Sequence, residues 1–379
     1  MPKAKQPAFV LPKAAPFYLC YVNLVLFVPA CIFGGFWLLP NLIFNFVLIG
    51  FFDEIAGLFD QNADPNTPEE NLFWHRLAIL LWLPTQIIMS LGGLYYTTQI
   101  ADHSVIESWM VMLLAGLSMG GVGIVFAHEM MHQKPALERH MADILMSMTL
   151  YGHFRSEHLL VHHRYVGTPI DAVTARYGEG FWRFFIRVLP ESFKSAWRAE
   201  VAKLGKRGLS AWSLRNPFWK YGTISVAFLL AAYLIGGLWG VVLYIHHAFV
   251  AVLLLEVINY IEHYGLTREY LGNGKYEHVK PQHAWNAAHK YSNFLLVNLQ
   301  RHSDHHFKPE RRYPLLQNYS ADEAPQLPFG YPIMVGCAFV PRFWKSRMNP
   351  RVRAWRQKFY PHIEDWTAYN EGSNPAPSR

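Results

Sequence analysis

Residues 105–132 read VIESWMVMLLAGLSMGGVGIVFAHEMMH, and the fold is decided there. Apart from Glu107 near its start, the stretch is apolar as far as Ala127. About 20 apolar residues suffice for a helix to cross the hydrocarbon core. The stretch then ends without a break on His128, Glu129 and His132, so metal-ligating residue types stand where a span leaves the lipid. Working outward, four further apolar runs have the same character: residues 17–39, 77–100, 221–240 and 241–261. Another, from Asn41, reaches full length only if it continues to Leu58 past Asp53 and Glu54. The expectation is an all-α integral membrane protein with six transmembrane helices.

Composition agrees. Of the 379 residues 52% are hydrophobic and only 16% charged, against about 25% charged in a soluble domain. The mean hydropathy is nevertheless only +0.07, low for a chain lying wholly in lipid. Apolar and polar blocks must therefore be segregated, and disorder of the whole chain is excluded. The three cysteines (Cys20, Cys31 and Cys337) are scattered, which excludes a disulfide-stapled fold.

Charge sets the expected orientation. Lys3, Lys5 and Lys13 precede the first span, and the expected outer turns at 34–41, 101–104 and 240–241 hold no Lys or Arg. Residues 128–220 carry 14 of the 34 Lys and Arg, and residues 264–379 carry 16 more. Positive residues stay in the cytoplasm, so both termini and both large polar regions are expected there. The net charge of +7 then belongs to one face, suited to an acidic partner or anionic headgroups. No nucleic-acid motif is present. The expected organisation is an N-terminal arm and four spans in residues 1–127, a polar region at 128–220, two spans at 221–262, a second polar region at 263–370 and a disordered tail at 371–379. A removable signal peptide is the competing reading of the N-terminus, since residues 28–31 faintly resemble a lipoprotein cleavage site. The apolar run continues well past Cys31, which favours a retained span.

The placement of the 19 histidines carries the chemistry. His128 and His132 end the fourth span; His158, His162 and His163 follow Glu157; His263 follows Glu262 at the end of the sixth span; His302, His305 and His306 surround Asp304. The charge-derived topology puts all four clusters on one face. Residues three or four apart share a helix side, so His128/His132, His158/His162 and His302/His305/His306 are each expected to present imidazoles to one point. Imidazole suits Fe, Zn, Cu and Ni. Nine clustered histidines exceed the needs of one ion and fit two ions at four or five ligands each. Open positions on a redox-capable metal point to dioxygen chemistry. The carboxylates Glu129, Glu157, Asp171, Glu256, Glu262 and Asp304 are expected to support the imidazoles, accepting a distal N–H, rather than to bind metal. For Glu256, inside the sixth span, a tie between two spans is the competing role.

Two other readings compete. HEMMH at 128–132 matches the HExxH pattern of zinc proteases, whose Glu acts as general base. It leaves seven of the clustered histidines unexplained. A metal transporter would place its site near the bilayer midplane rather than at helix ends.

Taken together, the boxes resemble the membrane-bound, histidine-rich di-iron hydroxylases, related to integral-membrane fatty acid desaturases. NYIEHYGL at 259–266 and LQRHSDHH at 299–306 are similar to the signatures of the alkane 1-monooxygenases. YGHF at 151–154, Glu277-His278 and PQHAWN at 281–286 extend the likeness, which covers roughly residues 70–350. Two departures stand out. Met130-Met131 and then Gln133 replace the family's Leu-Gly and Lys, and Val161 replaces a Gly; at these points the chain resembles the xylene or cymene methyl hydroxylases.

The resemblance implies that His128, His132, His158, His162, His163, His263, His302, His305 and His306 hold two Fe ions. It implies hydroxylation of a terminal methyl with dioxygen and two electrons, at the bacterial inner membrane with a cytoplasmic active site. A hydrophobic substrate would enter from lipid, past Phe44, Phe46, Phe51 and Phe52 on the second span. Three scattered cysteines cannot build the two CxxC pairs of a rubredoxin, and no GxGxxG stands on a strand–helix turn. A separate donor is expected, by resemblance a rubredoxin with its reductase. Arg311, Arg312, Arg342, Lys345 and Arg347 are candidate docking residues.

Overall fold

The computed structural model describes residues 11–375, so Lys3 and Lys5 lie outside the described residues. The chain opens with four long apolar helices: α1 (Ala15–Phe33), α2 (Gly35–Ala56), α3 (Glu69–Ile100) and α4 (Val105–Met131). Glu107, the one charge near the start of α4, serves as its cap. Ser104 and Glu107 form a reciprocal capping box, and Glu107 also accepts the Gly35 N–H at 2.9 Å. A carboxylate at a helix start satisfies backbone donors that the helix leaves unpaired. Asp53, inside α2, is equally accounted for: it accepts the N–H groups of Tyr291 and Ser292 at 2.7 and 3.0 Å. Those two residues open a short helix of the polar half, so Asp53 bolts membrane to cap.

The polar half then begins with α5 (Ala136–Met148), α6 (residues 154–165) and α7 (Phe181–Gly205). The chain returns to apolar sequence in α8 (Phe218–His263), 46 residues broken at Gly236 and Gly237. Gly237 has φ 59° and ψ −150°, a conformation open essentially only to glycine. The rings of Phe228 and Tyr244 stack 6.2 Å apart across the break. A straight helix would separate them by about 24 Å, so the chain reverses at the glycines. The expected turn at 240–241 thus lies slightly earlier. Gly240 remains necessary, because a Cβ there would fall 2.3 Å from the Ala232 carbonyl oxygen across the turn.

Among the described residues five helices are thereby long and apolar enough to cross a membrane, one of them reversed at its middle. Their outer faces expose Val47, Phe51, Ile55, Ile88, Leu234 and Leu238, as lipid contact requires. Helix α4 packs on the second half of α8 through small residues. A Cβ on Gly116 would lie 2.7 Å from the His247 carbonyl, and one on Gly120 would lie 2.8 Å from that of Ala251. Small residues four apart let backbones approach closely in lipid. The pairs also advance together along both helices, so α4 and α8 run parallel and deliver their terminal histidines to one level.

Beyond α8 come a hairpin of β1 (Tyr270–Gly272) and β2 (Lys275–Tyr276), then α9 (Lys290–Leu295), α10 (His302–Phe307), α11 (Tyr331–Phe339) and α12 (Pro341–Phe359). Arg301, almost fully buried, donates to the carbonyls of Phe59, Gln61 and Leu316 and fixes the α2–α3 connection over α10. The tail expected to be disordered from Glu371 is hydrogen-bonded as far as Asn374, which accepts from Tyr276. Residues 376–379 lie outside the described residues.

Candidate metal centre

The nine clustered histidines come together in two adjoining groups. His128, His132, His158, His163 and His305 form one; His162, His263, His302 and His306 form the other, and within each group the candidate ligand atoms lie within 4.8 Å of one another. In the first group the Nε2 atoms of His132 and His158 are 3.0 Å apart, those of His158 and His163 2.9 Å, and those of His163 and His305 3.1 Å. In the second, His263 and His302 approach to 3.1 Å and His302 and His306 to 3.0 Å. The groups meet where the rings of His163 and His306 lie 4.8 Å apart.

This partition corrects the helical-spacing expectation at two boxes. His158 does not share its point with His162 but with His163, because residues 158–162 form a π turn that moves ring alignment from four residues to five. Such single-turn π insertions recur at functional sites. In α10, His302 and His306 are one turn apart and share the second group. His305 projects sideways into the first. Only His128/His132 behaves as a simple pair with one target.

Burial, reinforced by neighbouring imidazoles, holds His132, His158, His163, His302, His305 and His306 well below the ordinary imidazole range. Neutral rings offer lone pairs, and neutral imidazoles packed nitrogen to nitrogen gain most from a shared cation. The donor set therefore fits a metal centre.

The carboxylates divide by role. Asp171 Oδ2 lies 3.0 Å from His162 Nδ1 and also accepts the Thr174 hydroxyl at 2.7 Å, fixing ring and tautomer together. Glu262 behaves otherwise. Its Oε2 is 3.3 Å from His302 Nε2, the nitrogen that faces the other rings, while Oε1 accepts the Tyr331 hydroxyl at 2.8 Å. It points into the second group rather than behind it. Glu129 accepts from Gln133 and the Tyr313 N–H. Glu256 accepts from the Tyr151 hydroxyl and Asn259, which makes it a tie between segments and not the partner of an imidazole. Asp304 binds Arg311, the Gln317 N–H and the Tyr319 hydroxyl, anchoring the loop after α10. Glu157 is buried with both oxygens free of partners, and burial beside Asp171 and Glu256 pushes its carboxyl up.

An apolar cavity of about 80 Å³ opens between α2, α4, α8 and the cap, lined by Phe46, Gly121, Val125, Leu254, Leu299 and Val335 among others. Val125 and Leu299 also wall a narrow space of about 10 Å³ that touches His128, Glu129 and His305. The first histidine group thus borders apolar space that shares the walls Val125 and Leu299 with the larger cavity. Of the expected lining residues only Phe46 lies on it. Phe44 is buried elsewhere, Phe51 is exposed, and Phe52 packs on Tyr291. The departures at Met130, Met131 and Val161 are buried in the core, and Gln133 serves Glu129. Sequence reasoning missed Tyr331, Gly121 and Val125. Tyr331 and Glu262 are too far apart in the chain for any motif to link them.

The fold and site define a class: a multi-span helical membrane protein with paired histidine metal sites beside an apolar passage. A family model described as fatty acid desaturase matches residues 107–337. Alkane 1-monooxygenase 2 of Pseudomonas aeruginosa is 37% identical over 331 residues, covering 84% of each chain. Alkane 1-monooxygenase 1 of Alcanivorax borkumensis is 42% identical over 266 residues, 66% of this chain and 65% of its own. The xylene/toluene monooxygenase hydroxylase component of Pseudomonas putida is 30% identical over 253 residues, with 66% and 65% covered. The chain belongs to the alkane 1-monooxygenase family, within the broader fatty acid desaturase family.

Proposed function

We propose that the protein is a di-iron monooxygenase that converts the terminal methyl of an alkane to a primary alcohol, using dioxygen and two electrons from a separate rubredoxin. The observation that carries this reading is the junction of the apolar passage with His128 and His305. The nine histidines would hold two irons, five ligands on one and four on the other, with Glu262 offering an oxygen to the second. Bound there, iron supplies activation of dioxygen for insertion into an unactivated C–H bond.

The chain's own residues supply position and dryness. An alkane has no polar handle, so recognition rests on burial at roughly 0.8 kcal/mol per CH₂. Phe46, Val125, Leu254 and Leu299 present apolar surface to it. Val125 and Leu299, which line both the apolar cavity and the space beside His128 and His305, present only apolar surface to it. Asp171 holds His162 in one tautomer. Burial of the histidines excludes water and protects the oxidant from side reactions.

Six crossings follow if each half of α8 spans the bilayer, as the reversal at Gly237 supports. The distribution of Lys and Arg supports a cytoplasmic position for the termini and metal centre. The test is product analysis of iron-loaded protein in nanodiscs with rubredoxin and its reductase, offered n-octane, n-hexadecane and p-cymene. Primary alcohols from the alkanes are expected. Oxidation of p-cymene alone would transfer the reading to the alkyl-aromatic hydroxylases, and no oxygen consumption with any substrate would overturn it.

A further inference from the structure

A polar cavity of about 500 Å³, sharing no lining residue with the apolar cavity, includes Asp171 in its wall. Its walls include Thr168, Asp171, Arg176, Arg187, Glu191 and Arg198. Most of its charges are already engaged. Arg187 donates to Glu179 and to the carbonyls of Ala172 and Thr174. Glu191 pairs with Lys194 at 2.9 Å, and Asp171 serves His162, Thr174 and the Val173 N–H. The guanidinia of Arg176 and Arg198 form no ion pair among the described residues. Burial of Arg176, with Arg187 and Arg183 nearby, holds its pKa below the ordinary value despite Glu179. Two guanidinia without an ion pair among the described residues, lining one cavity, suit a carboxylate or phosphate.

The depth of the cavity selects between those ligands. Its wall residue Asp171 is one hydrogen bond, 3.0 Å, from His162 of the four-histidine group. Two of the arginines first expected to dock a partner are engaged elsewhere. Arg311 is held by Asp304, and Arg312 by Glu69 and Glu138. Arg342 and Arg347 flank Phe343, which is exposed beside Val340 and suits a lipid headgroup region.

We propose that this cavity is the docking point of an acidic one-electron donor protein, with a donor carboxylate seated between Arg176 and Arg198 and the electron leaving by Asp171 and His162. The proposal rests on the oxygenase reading. Each encounter oxidises the donor's metal by one electron and reduces the histidine-held centre by one. Two encounters supply the pair that one dioxygen takes, along with two protons, to give one alcohol and one water. Charge complementarity of this kind chiefly sets encounter rate and salt dependence.

The test measures binding of a rubredoxin to the full chain in nanodiscs, by light scattering or surface plasmon resonance, across ionic strength. Arg198→Glu and Ser195→Glu are expected to raise the Kd at least tenfold and to flatten its salt dependence, whereas Arg342→Glu leaves both unchanged. Product formed in a single turnover after chemical reduction by dithionite should match the parent for all three variants. Unchanged rubredoxin affinity in both cavity variants would overturn the proposal. So would loss of affinity in Arg342→Glu alone, or inorganic phosphate binding that Arg198→Glu abolishes while rubredoxin binding stays intact. If dithionite gives no product even in the parent, the oxygenase reading fails, and the binding result still reports on the cavity.

Discussion

The two histidine groups differ less in their ligands than in what lies beside them. The five-histidine group borders the apolar passage through His128 and His305, and two of its members are only partly buried. The four-histidine group is buried throughout, has Asp171 and Glu262 within 3.3 Å of its imidazoles and connects through Asp171 to the polar cavity. One group borders apolar space and the other connects to a polar cavity, the arrangement that the proposed substrate and reductant would each require. On the proposed reading, this difference would let one compact cluster keep an oily substrate and a water-borne electron donor apart.

Removing a ligand from either group gives the largest effect. His305→Ala and His306→Ala are each expected to abolish turnover while the spans still insert, and metal analysis should show a different ion lost in each. Loss of the same ion from both variants would erase the distinction between the groups. Next come the carboxylates. Asp171→Asn and Glu262→Gln should weaken metal at the four-histidine group by about 10–100-fold, read by competition with a chelator. Equal weakening at both groups would mean that the carboxylates act on the cluster as a whole.

The passage is tested more gently. Gly121 lines the cavity and has no atom within 4 Å of where a Cβ would stand, so Gly121→Phe is expected to obstruct it. It should cut kcat/KM for n-hexadecane by roughly 10–200-fold relative to n-octane, the range expected from a few lost apolar contacts. Metal content and rubredoxin affinity should not move. The smallest effect lies at the turn remote from both groups. Gly237→Ala forces an alanine into the glycine-only conformation and should cost about 1–3 kcal/mol, seen as a lower Tm with wild-type metal stoichiometry.

Much of this was legible along the chain. Long apolar runs report on themselves, because the requirement of about 20 residues per crossing is local. The four histidine boxes announced metal chemistry through density and position alone. Asp171 was picked out as a support, and the structure places it against His162. Other expectations failed where a neighbour outside the local sequence decides the outcome. Arg311 and Arg312 look free in sequence, yet Asp304, Glu69 and Glu138 occupy them. Asp304 and Glu256 look like imidazole partners, yet loop and tyrosine donors take their oxygens.

The sequence by itself determined that this is a membrane protein with histidines gathered at span ends, since hydrophobic length and residue type are properties of the chain. Tertiary structure decided how nine imidazoles divide into five and four. A π turn at 158–162 and the sideways projection of His305 override helical spacing, and neither is encoded in the spacing itself. It also decided which group meets the lipid passage and which the basic cavity, because those surroundings come from α2, α4, α7 and α11, segments far apart in sequence that only packing brings together.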